Sequence, residues 1–165
     1  MIYSAYYNSP VGWLLLEADE TGITKVHFAE ENERGELENA CLVLKQCILE
    51  LDEYFLGKRE EFSVNVNASG TVFQKKVWEQ LQKIPFAKTI SYAQLATQLG
   101  DLKSIRAAGT ANGKNPVAII IPCHRVIGSD GSLTGYGGGL WRKKWLLDFE
   151  RKRKQGELFE LGEGG

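Results

Sequence analysis

The sequence predicts an α+β protein made of two units, a strand-rich first part and a mostly helical second part. Up to about residue 30, short apolar stretches are separated by turn residues, whereas from residue 71 onward apolar residues recur mainly at three- and four-residue steps. Polar and turn residues at 67–70 lie between the two patterns. We therefore expect a structural domain over 1–70, a second domain over 71–155 and a flexible acidic tail over 156–165.

Composition limits the class of protein. The chain has 165 residues, of which 43% are hydrophobic and 25% charged, which is enough for one core or two small ones and excludes a disordered tail protein or a collagen-like repeat. The net charge of -1 is unevenly distributed: Lys and Arg number 5 against 13 Asp and Glu in residues 1–70, and 15 against 8 in residues 71–165. The basic second half indicates an anionic partner such as nucleic acid.

The cysteines and the N-terminus indicate the compartment. Three cysteines without paired spacing do not make a disulfide framework and fit a reducing environment. The chain does not begin with a basic segment followed by an apolar one, and it has no apolar run near the roughly 18 residues that span a bilayer. We expect a soluble cytoplasmic protein with no membrane contact.

The first unit is predicted to be a small antiparallel meander followed by a helix. Strands are expected over 2–7, 13–18 and 23–28, and an acidic loop over 29–38. Apolar residues from Leu37 to Phe55 then follow helical spacing up to Gly57. Alternation of Phe62, Val64 and Val66 predicts one more short strand.

The second unit is predicted to contain a helix-turn-helix. After a helix over 73–84 that Pro85 ends, Ser91 is a good N-cap for residues 92–99, and Gly100 can end that helix. Asp101 or Ser104 can cap a following helix that runs to about residue 111. A loop with six glycines over 128–139 and a last helix over 140–149 complete the unit.

Cys123 is the candidate nucleophile. It follows Pro122 and precedes His124 and Arg125, so a thiol lies beside an imidazole and a guanidinium that both favour the thiolate. Neighbouring side chains of an extended segment point to opposite sides, so a water between Cys123 and His124 is an alternative to a direct contact. A structural buried cysteine is the competing interpretation, and we adopt it for Cys41 and Cys47.

The helix after Gly100 has an unusually bare surface. Four small residues follow Arg106 within five positions, which suits a shallow approach to DNA in the minor groove, although close helix packing explains the alanines equally well. The basic runs at 142–144 and 151–154 are interpreted as solvated helix faces, some of which face phosphates. His27 lies within an apolar strand, and a structural role is favoured over a zinc site.

Taken together, these residues resemble the alkylguanine-DNA alkyltransferases, also called methylated-DNA–protein-cysteine methyltransferases. The resemblance covers essentially the whole chain, and IPCHRV at 121–126 is similar to the active-site signature of that family. Supporting matches are found at 73–74, 77–78, 84–85, 91–92, 106–107, 115–116, 135–140 and 145–150. The resemblance implies a ribonuclease-H-like N-terminal α/β domain with a short antiparallel sheet, and a mostly α, winged-helix-like C-terminal domain with the helix-turn-helix.

The resemblance also implies a catalytic set. Cys123 would accept the alkyl group, His124 would be the base that reaches it through water, and Glu150 would orient and charge His124. Tyr92 would crowd the phosphate of the target nucleotide and donate a proton to the leaving guanine. No cofactor and no metal are implied.

Contacts with DNA and with the flipped base follow from the same resemblance. Arg106 would be the finger that fills the vacated space in the stack, Asn115 the hinge that braces the active-site turn, and Gly137 a backbone donor where some relatives have serine. The remaining residues implied at the DNA surface are Ala107, Gly109 and Arg125, and those implied at the base pocket are Val126 and Tyr136.

The activity implied is DNA repair by direct reversal in a monomer bound to the minor groove of duplex DNA. Such a protein flips 6-O-methylguanine, and less well 4-O-methylthymine, out of the duplex and transfers the alkyl group irreversibly to Cys123. A non-catalytic protein that binds alkylated DNA is the main alternative. A helix-turn-helix regulator and a Cys/His hydrolase are further alternatives, and the hydrolase would need an oxyanion hole and would turn over.

Overall fold

The computed structural model describes residues 1–30 and 41–163, with side chains to residue 156. Strands β1 (Tyr3–Ser9), β2 (Gly12–Ala18) and β3 (Ile23–Phe28) form an antiparallel sheet in that order. The predicted meander is confirmed. Most of the predicted acidic loop at 29–38 lies outside the described residues.

Helix α1 (Leu42–Phe55) packs on this sheet. Its buried face carries Leu44, Cys47, Leu51 and Tyr54, which confirms Cys47 as a core residue. The helix begins after Cys41 in the described chain, whereas the prediction started it at Leu37, which lies outside the described residues.

The strand predicted over 62–66 is wrong. Only a single bridge joins Val66 to Ile23 within the described chain, because the backbone amides of Ser63 and Val64 are used elsewhere. Both donate to Glu50 Oε1, at 2.8 Å and 3.0 Å, and Ser63 Oγ donates to Glu50 Oε2 at 2.7 Å. A carboxylate on α1 therefore fixes this segment in place of a strand ladder.

Replacement of Glu50 by Gln is expected to lower the free energy of unfolding by about 1–3 kcal/mol. The substitution turns one acceptor oxygen of a buried carboxylate into an NH₂ donor, which then faces groups that donate to Glu50, such as Gln46 Nε2 and Ser63 Oγ. The matched control is Glu53→Gln on the same helix. Glu53 pairs with Arg59 at the surface, so its loss should cost less than about 1 kcal/mol. Equal urea midpoints for the two variants would contradict the stabilising role of the Glu50 carboxylate.

The second unit begins with α2 (Val72–Leu81), where Thr71 forms a capping box with Gln74. The helix ends at Leu81, earlier than the predicted residue 84. Helix α3 (Tyr92–Gln98) has the predicted Ser91 cap, and Gly100 turns the chain with a φ of 89°. Asp101 caps a 3-10 turn (Leu102–Ser104) that leads into α4 (Ile105–Gly113), so the predicted helix-turn-helix is formed.

Two further elements complete this unit. Strands β4 (Ile90–Ser91) and β5 (Val126–Ile127) pair in parallel, and α5 spans Leu140–Glu163. The backbone of 156–163 is therefore helical, where the sequence predicted a frayed tail, and residues 164 and 165 lie outside the described residues.

The small residues of α4 lie on both faces of the helix, and the structure shows the close helix packing that was one of the two interpretations. Ala108 and Ala111 are buried where α4 packs on α2 and α3, and Trp78 Nε1 donates to the Ala111 carbonyl at 3.0 Å. Arg106 and Ala107 lie on the exposed face of the same helix. One face of α4 thus packs closely while the other stays open.

A backbone connection joins the two units. Val26 on β3 donates to the Pro116 carbonyl at 3.0 Å, and the Ala118 amide donates to the Val26 carbonyl at 2.9 Å. Buried residues of both units form one continuous core, so β3 is held directly beside the segment that leads to Cys123. Within 1–30 and 41–163, no helix is both long and apolar enough to cross a membrane.

Candidate active site

The segment 117–121 leads to Cys123 as a buried, irregular turn rather than a strand. Ile119 takes a φ of 71°, unusual for a branched side chain, and Asn115 fixes both ends of the segment. Its Nδ2 donates to the Ile121 carbonyl at 2.8 Å, and its Oδ1 accepts from the Val117 amide at 2.9 Å. These two bonds hold both ends of the segment to one side chain, and the hinge role expected for Asn115 stays a prediction.

Cys123 begins a 3-10 turn (Cys123–Arg125) and is 7% exposed. Burial raises the pKa of the Cys123 thiol, while the side chain of Asn115 and the ammonium of Lys143 lower it. The thiol is therefore mainly protonated in the free protein, and formation of the nucleophilic thiolate requires a nearby base.

Glu150 on α5 holds the residues beside Cys123. His124 Nε2 lies 2.8 Å from Glu150 Oε2, and Arg125 contacts both carboxylate oxygens, each at 2.9 Å. Tyr54 Oη donates to Glu150 Oε2 at 2.6 Å, and the Ala87 amide donates to Oε1 at 3.3 Å. All of these groups are buried or partly buried, so the carboxylate is closely surrounded by donors.

The protonation states follow from these contacts. Burial alone would raise the pKa of Glu150, but His124 and Arg125 lower it well below its usual range, so the carboxylate is ionised. Burial lowers the pKa of His124, although Glu150 acts in the opposite direction, and the ring is neutral. A neutral ring that donates Nε2–H to Glu150 keeps its lone pair on Nδ1, and that atom is buried without a hydrogen-bond partner in the described chain. His124 is thus arranged as a proton acceptor.

Arg125 was expected at the DNA surface, and this prediction is wrong. It is 5% exposed, its Nη1 donates to the Ile84 carbonyl at 2.7 Å, and its guanidinium lies 5.8 Å from the centroid of the Phe86 ring. Because its guanidinium is the counter-ion of Glu150, it is not available to a phosphate.

Lys143 is a site residue that the sequence interpretation missed by assigning the run 142–144 to a solvated face. Its side chain is fully buried, and Nζ donates to the Thr134 carbonyl at 2.8 Å. The same Nζ lies 5.8 Å from the centroid of the Tyr92 ring. The signal was present in the sequence: Lys143, Leu146 and Glu150 follow at three- and four-residue steps, which places all three on one helix face.

A cavity of about 180 Å³ opens onto Cys123. Tyr136 and Gly137, both implied at the base pocket, line it. Asn112 and His27, which the sequence interpretation did not place there, line it as well. The Tyr136 hydroxyl is buried without a partner in the described chain. Val126 was also implied, but it is fully buried in β5 and is not among the described residues that line the cavity.

Tyr92 and the exposed face of α4 lie next to this site. Tyr92 Oη donates to the Thr134 carbonyl at 3.1 Å, and its ring lies against Gly109, where an added Cβ would be 3.5 Å away. Arg106 and Ala107 are exposed in the first turn of α4. Among the residues that the structure describes, no three His, Cys, Asp or Glu side chains are grouped to hold a metal.

Comparison with known proteins identifies the family. Residues 2–68 match the model of the 6-O-methylguanine DNA methyltransferase ribonuclease-like domain, and residues 72–152 match that of the DNA binding domain of the same enzymes. The chain belongs to the 6-O-methylguanine DNA methyltransferase family. It is accordingly an enzyme of the methylated-DNA–protein-cysteine methyltransferase class, which acts in DNA repair by alkyl transfer.

Individual members of the 6-O-methylguanine DNA methyltransferase family match over nearly their full length. The methylated-DNA–protein-cysteine methyltransferase of Methanosarcina acetivorans is 40% identical over 153 residues, 90% of this chain and 98% of the relative. The crystal structure of Mycobacterium tuberculosis OGT in complex with DNA is similar with a TM-score of 0.83 and 41% identity, over 92% of this chain and 94% of the other. The predicted two-domain α+β fold is therefore confirmed.

Proposed function

We propose that this methyltransferase binds duplex DNA from the minor groove, rotates 6-O-methylguanine out of the stack and transfers the methyl group once to Cys123. The observation that carries the proposal is the buried Cys123 thiol, which opens onto a cavity beside a neutral His124 that an ionised Glu150 orients. An alkyl group inside a duplex cannot reach a buried thiol unless the nucleotide is extruded. Transfer to 4-O-methylthymine, at a lower rate, belongs to the same proposal.

The transfer uses the proton states described above. His124 Nδ1 takes the thiol proton, directly or through a water, and Glu150 stabilises the imidazolium that forms. The thiolate attacks the methyl carbon in line, so an S–C bond forms while the C–O bond breaks and its electron pair goes to the guanine. The Tyr92 hydroxyl, which donates to the Thr134 carbonyl in the free protein, turns to the guanine and donates the proton that neutralises it as it leaves.

The product explains why each protein acts once. A thioether at Cys123 has no carbonyl that water can attack, and nothing in the reaction returns the thiol. A Cys/His hydrolase, by contrast, forms an acyl-enzyme that water cleaves and therefore turns over. A non-catalytic binder of alkylated DNA remains the alternative function. The number of lesions repaired per protein molecule separates the alkyltransferase, the hydrolase and the binder.

The decisive experiment is mass spectrometry of the intact protein and its peptides after incubation with excess duplex that carries one 6-O-methylguanine. We expect one methyl group on the Cys123 peptide, with saturation at one per protein. An unmodified protein that still retards the methylated duplex in a gel would instead identify a lesion-binding module, and continued turnover would identify a hydrolytic enzyme.

Arg106 supports the proposed extrusion of the base. It is the exposed cation of the α4 surface whose neighbours are small enough for close approach to a groove. We expect Arg106→Ala to slow transfer from duplex DNA by about tenfold or more, while transfer from free 6-O-methylguanine base is unchanged, because the thiol and His124 are intact. The measurement is the rate of single-turnover transfer with each substrate.

The control for Arg106→Ala is Lys45→Ala, which removes the same charge from the exposed face of α1 in the first unit. A general loss of electrostatic attraction would slow both variants similarly. Equal rates for the two variants on duplex DNA would contradict a specific role for Arg106.

A further inference from the structure

One wall of the reactive cavity comes from the ribonuclease-like unit. Val26, His27 and Phe28 of β3 line the cavity together with Cys123. The backbone bonds of Val26 to Pro116 and Ala118 hold the end of this strand beside the segment that leads to Cys123. The first unit, which supplies none of the reacting groups, therefore shapes the space in which they react.

Phe28 is packed tightly against the glycine-rich loop of the cavity. Its ring meets that of Tyr136 edge-on, with 5.9 Å between the centroids. A Cβ added at Gly138 would lie 2.5 Å from both Cδ2 and Cε2 of Phe28, which no real contact allows. The Phe28 ring thus occupies the volume that a side chain at position 138 would otherwise take.

Arg142 holds Phe28 in this position. Its guanidinium lies 4.6 Å from the centroid of the Phe28 ring, within the range of a cation–π contact. The same group donates from Nε to the Val11 carbonyl at 2.7 Å and from Nη1 to the Gly138 carbonyl at 3.0 Å. One side chain of α5 therefore contacts the β1–β2 turn, the end of β3 and the cavity loop, so the Phe28 ring lies against a guanidinium that two backbone carbonyls hold in place.

We propose that Phe28, positioned by Arg142, is the wall that sets the largest alkyl group transferred to Cys123. This inference rests on the proposed function and identifies the residue that limits the size of the alkyl group transferred. The ring is packed between Tyr136, Gly138 and Arg142, and it lines the same cavity of about 180 Å³ as Cys123. We therefore expect this cavity to admit a methyl group without rearrangement, and a benzyl group only if the ring is displaced.

The test compares single-turnover transfer rates from two duplexes, one with 6-O-methylguanine and one with 6-O-benzylguanine. We expect Phe28→Ala to raise the benzyl-to-methyl rate ratio by about tenfold or more, since steric discrimination in a pocket is commonly worth 10- to 200-fold. Arg142→Lys, which keeps the charge but loses the planar group that contacts three parts of the chain, should raise the ratio less and in the same direction.

The matched control is Phe55→Ala. Phe55 is also a partly buried aromatic residue at a contact between the units, where it packs on Trp145 and Phe149, but it is not a lining residue of the cavity. Its loss should leave the ratio unchanged. This separates a specific wall from a general loosening of the interface.

Each outcome decides the proposal. An unchanged ratio in Phe28→Ala with methyl transfer intact would overturn it, as would an equal rise in Phe55→Ala. If Phe28→Ala does not fold, Phe28→Leu takes its place in the test, because it keeps an apolar side chain and shortens the wall. A benzyl-to-methyl rate ratio of Phe28→Leu equal to that of the wild type would then overturn the proposal. Failure of the wild-type protein to accept methyl from DNA would instead refute the proposed function.

Discussion

Cys123→Ala is expected to abolish methyl transfer from DNA while binding of the methylated duplex persists. The rate should fall by at least about 10³-fold, to the limit of detection, because the accepting atom is removed and no other group takes its place. Cys123 is 7% exposed, whereas the surface proposed for DNA is the exposed face of α4. The affinity for the methylated duplex should therefore stay within about threefold, or about 0.7 kcal/mol.

Cys47 provides a control for the assignment of the acceptor. Its thiol is fully buried in the core, and burial raises its pKa to about 12, so it does not form a thiolate near neutral pH. Cys47→Ala should keep full transfer activity at temperatures where it is folded. Equal transfer by the wild type and Cys123→Ala, measured as methyl groups per protein, would refute Cys123 as the acceptor.

Glu150→Gln should impair both folding and transfer. The amide would leave the buried Arg125 guanidinium without its counter-ion, which costs about 3–5 kcal/mol of the free energy of unfolding. The amide can donate to the His124 ring as well as accept from it, so it would not enforce the tautomer with Nε2–H toward residue 150. It would also not stabilise the imidazolium, and we expect the transfer rate to fall by roughly 10²–10⁴-fold. Urea unfolding and single-turnover kinetics on the folded protein measure the two effects.

Glu50→Gln separates these two effects, since it removes another buried carboxylate that contacts neither His124 nor Cys123. It should lower stability and leave the transfer rate of the folded protein unchanged. If Glu150→Gln does not fold, Tyr54→Phe removes one hydrogen bond to the same carboxylate and no charge, and it should lower the transfer rate by a smaller factor. A transfer rate for folded Glu150→Gln equal to that of Glu50→Gln would contradict the positioning role.

The contribution of Glu150 to stability depends on pH in a defined direction. The pKa of Glu150 in the folded protein lies below the value of about 4.3 in the unfolded chain. Its contribution is therefore fully present above the unfolded pKa and is lost as pH falls through the folded one. The stabilities of wild type and Glu150→Gln should converge as the solution is acidified below pH ~4.

Local patterns were enough to predict much of the fold and the reactive segment. The strand meander, the Ser91 cap and the helix-turn-helix depend on neighbouring residues, because turn chemistry and helix capping act over a few positions. The motif at 121–126 likewise identified Cys123 and His124 without knowledge of their surroundings. What these patterns left open was the environment of each side chain.

That environment was decided by contacts between residues far apart in the chain. Arg125 and Lys143 look like surface cations in sequence, yet both are buried, because Glu150 and the Thr134 carbonyl accept their hydrogen bonds in the folded protein. Phe28 becomes a wall of the cavity only when β3 docks beside residues 116–118. The sequence by itself determined the chemistry that Cys123 and His124 offer, whereas the tertiary structure decided which charges are buried and which unit shapes the cavity, because burial and pairing are properties of the packed chain.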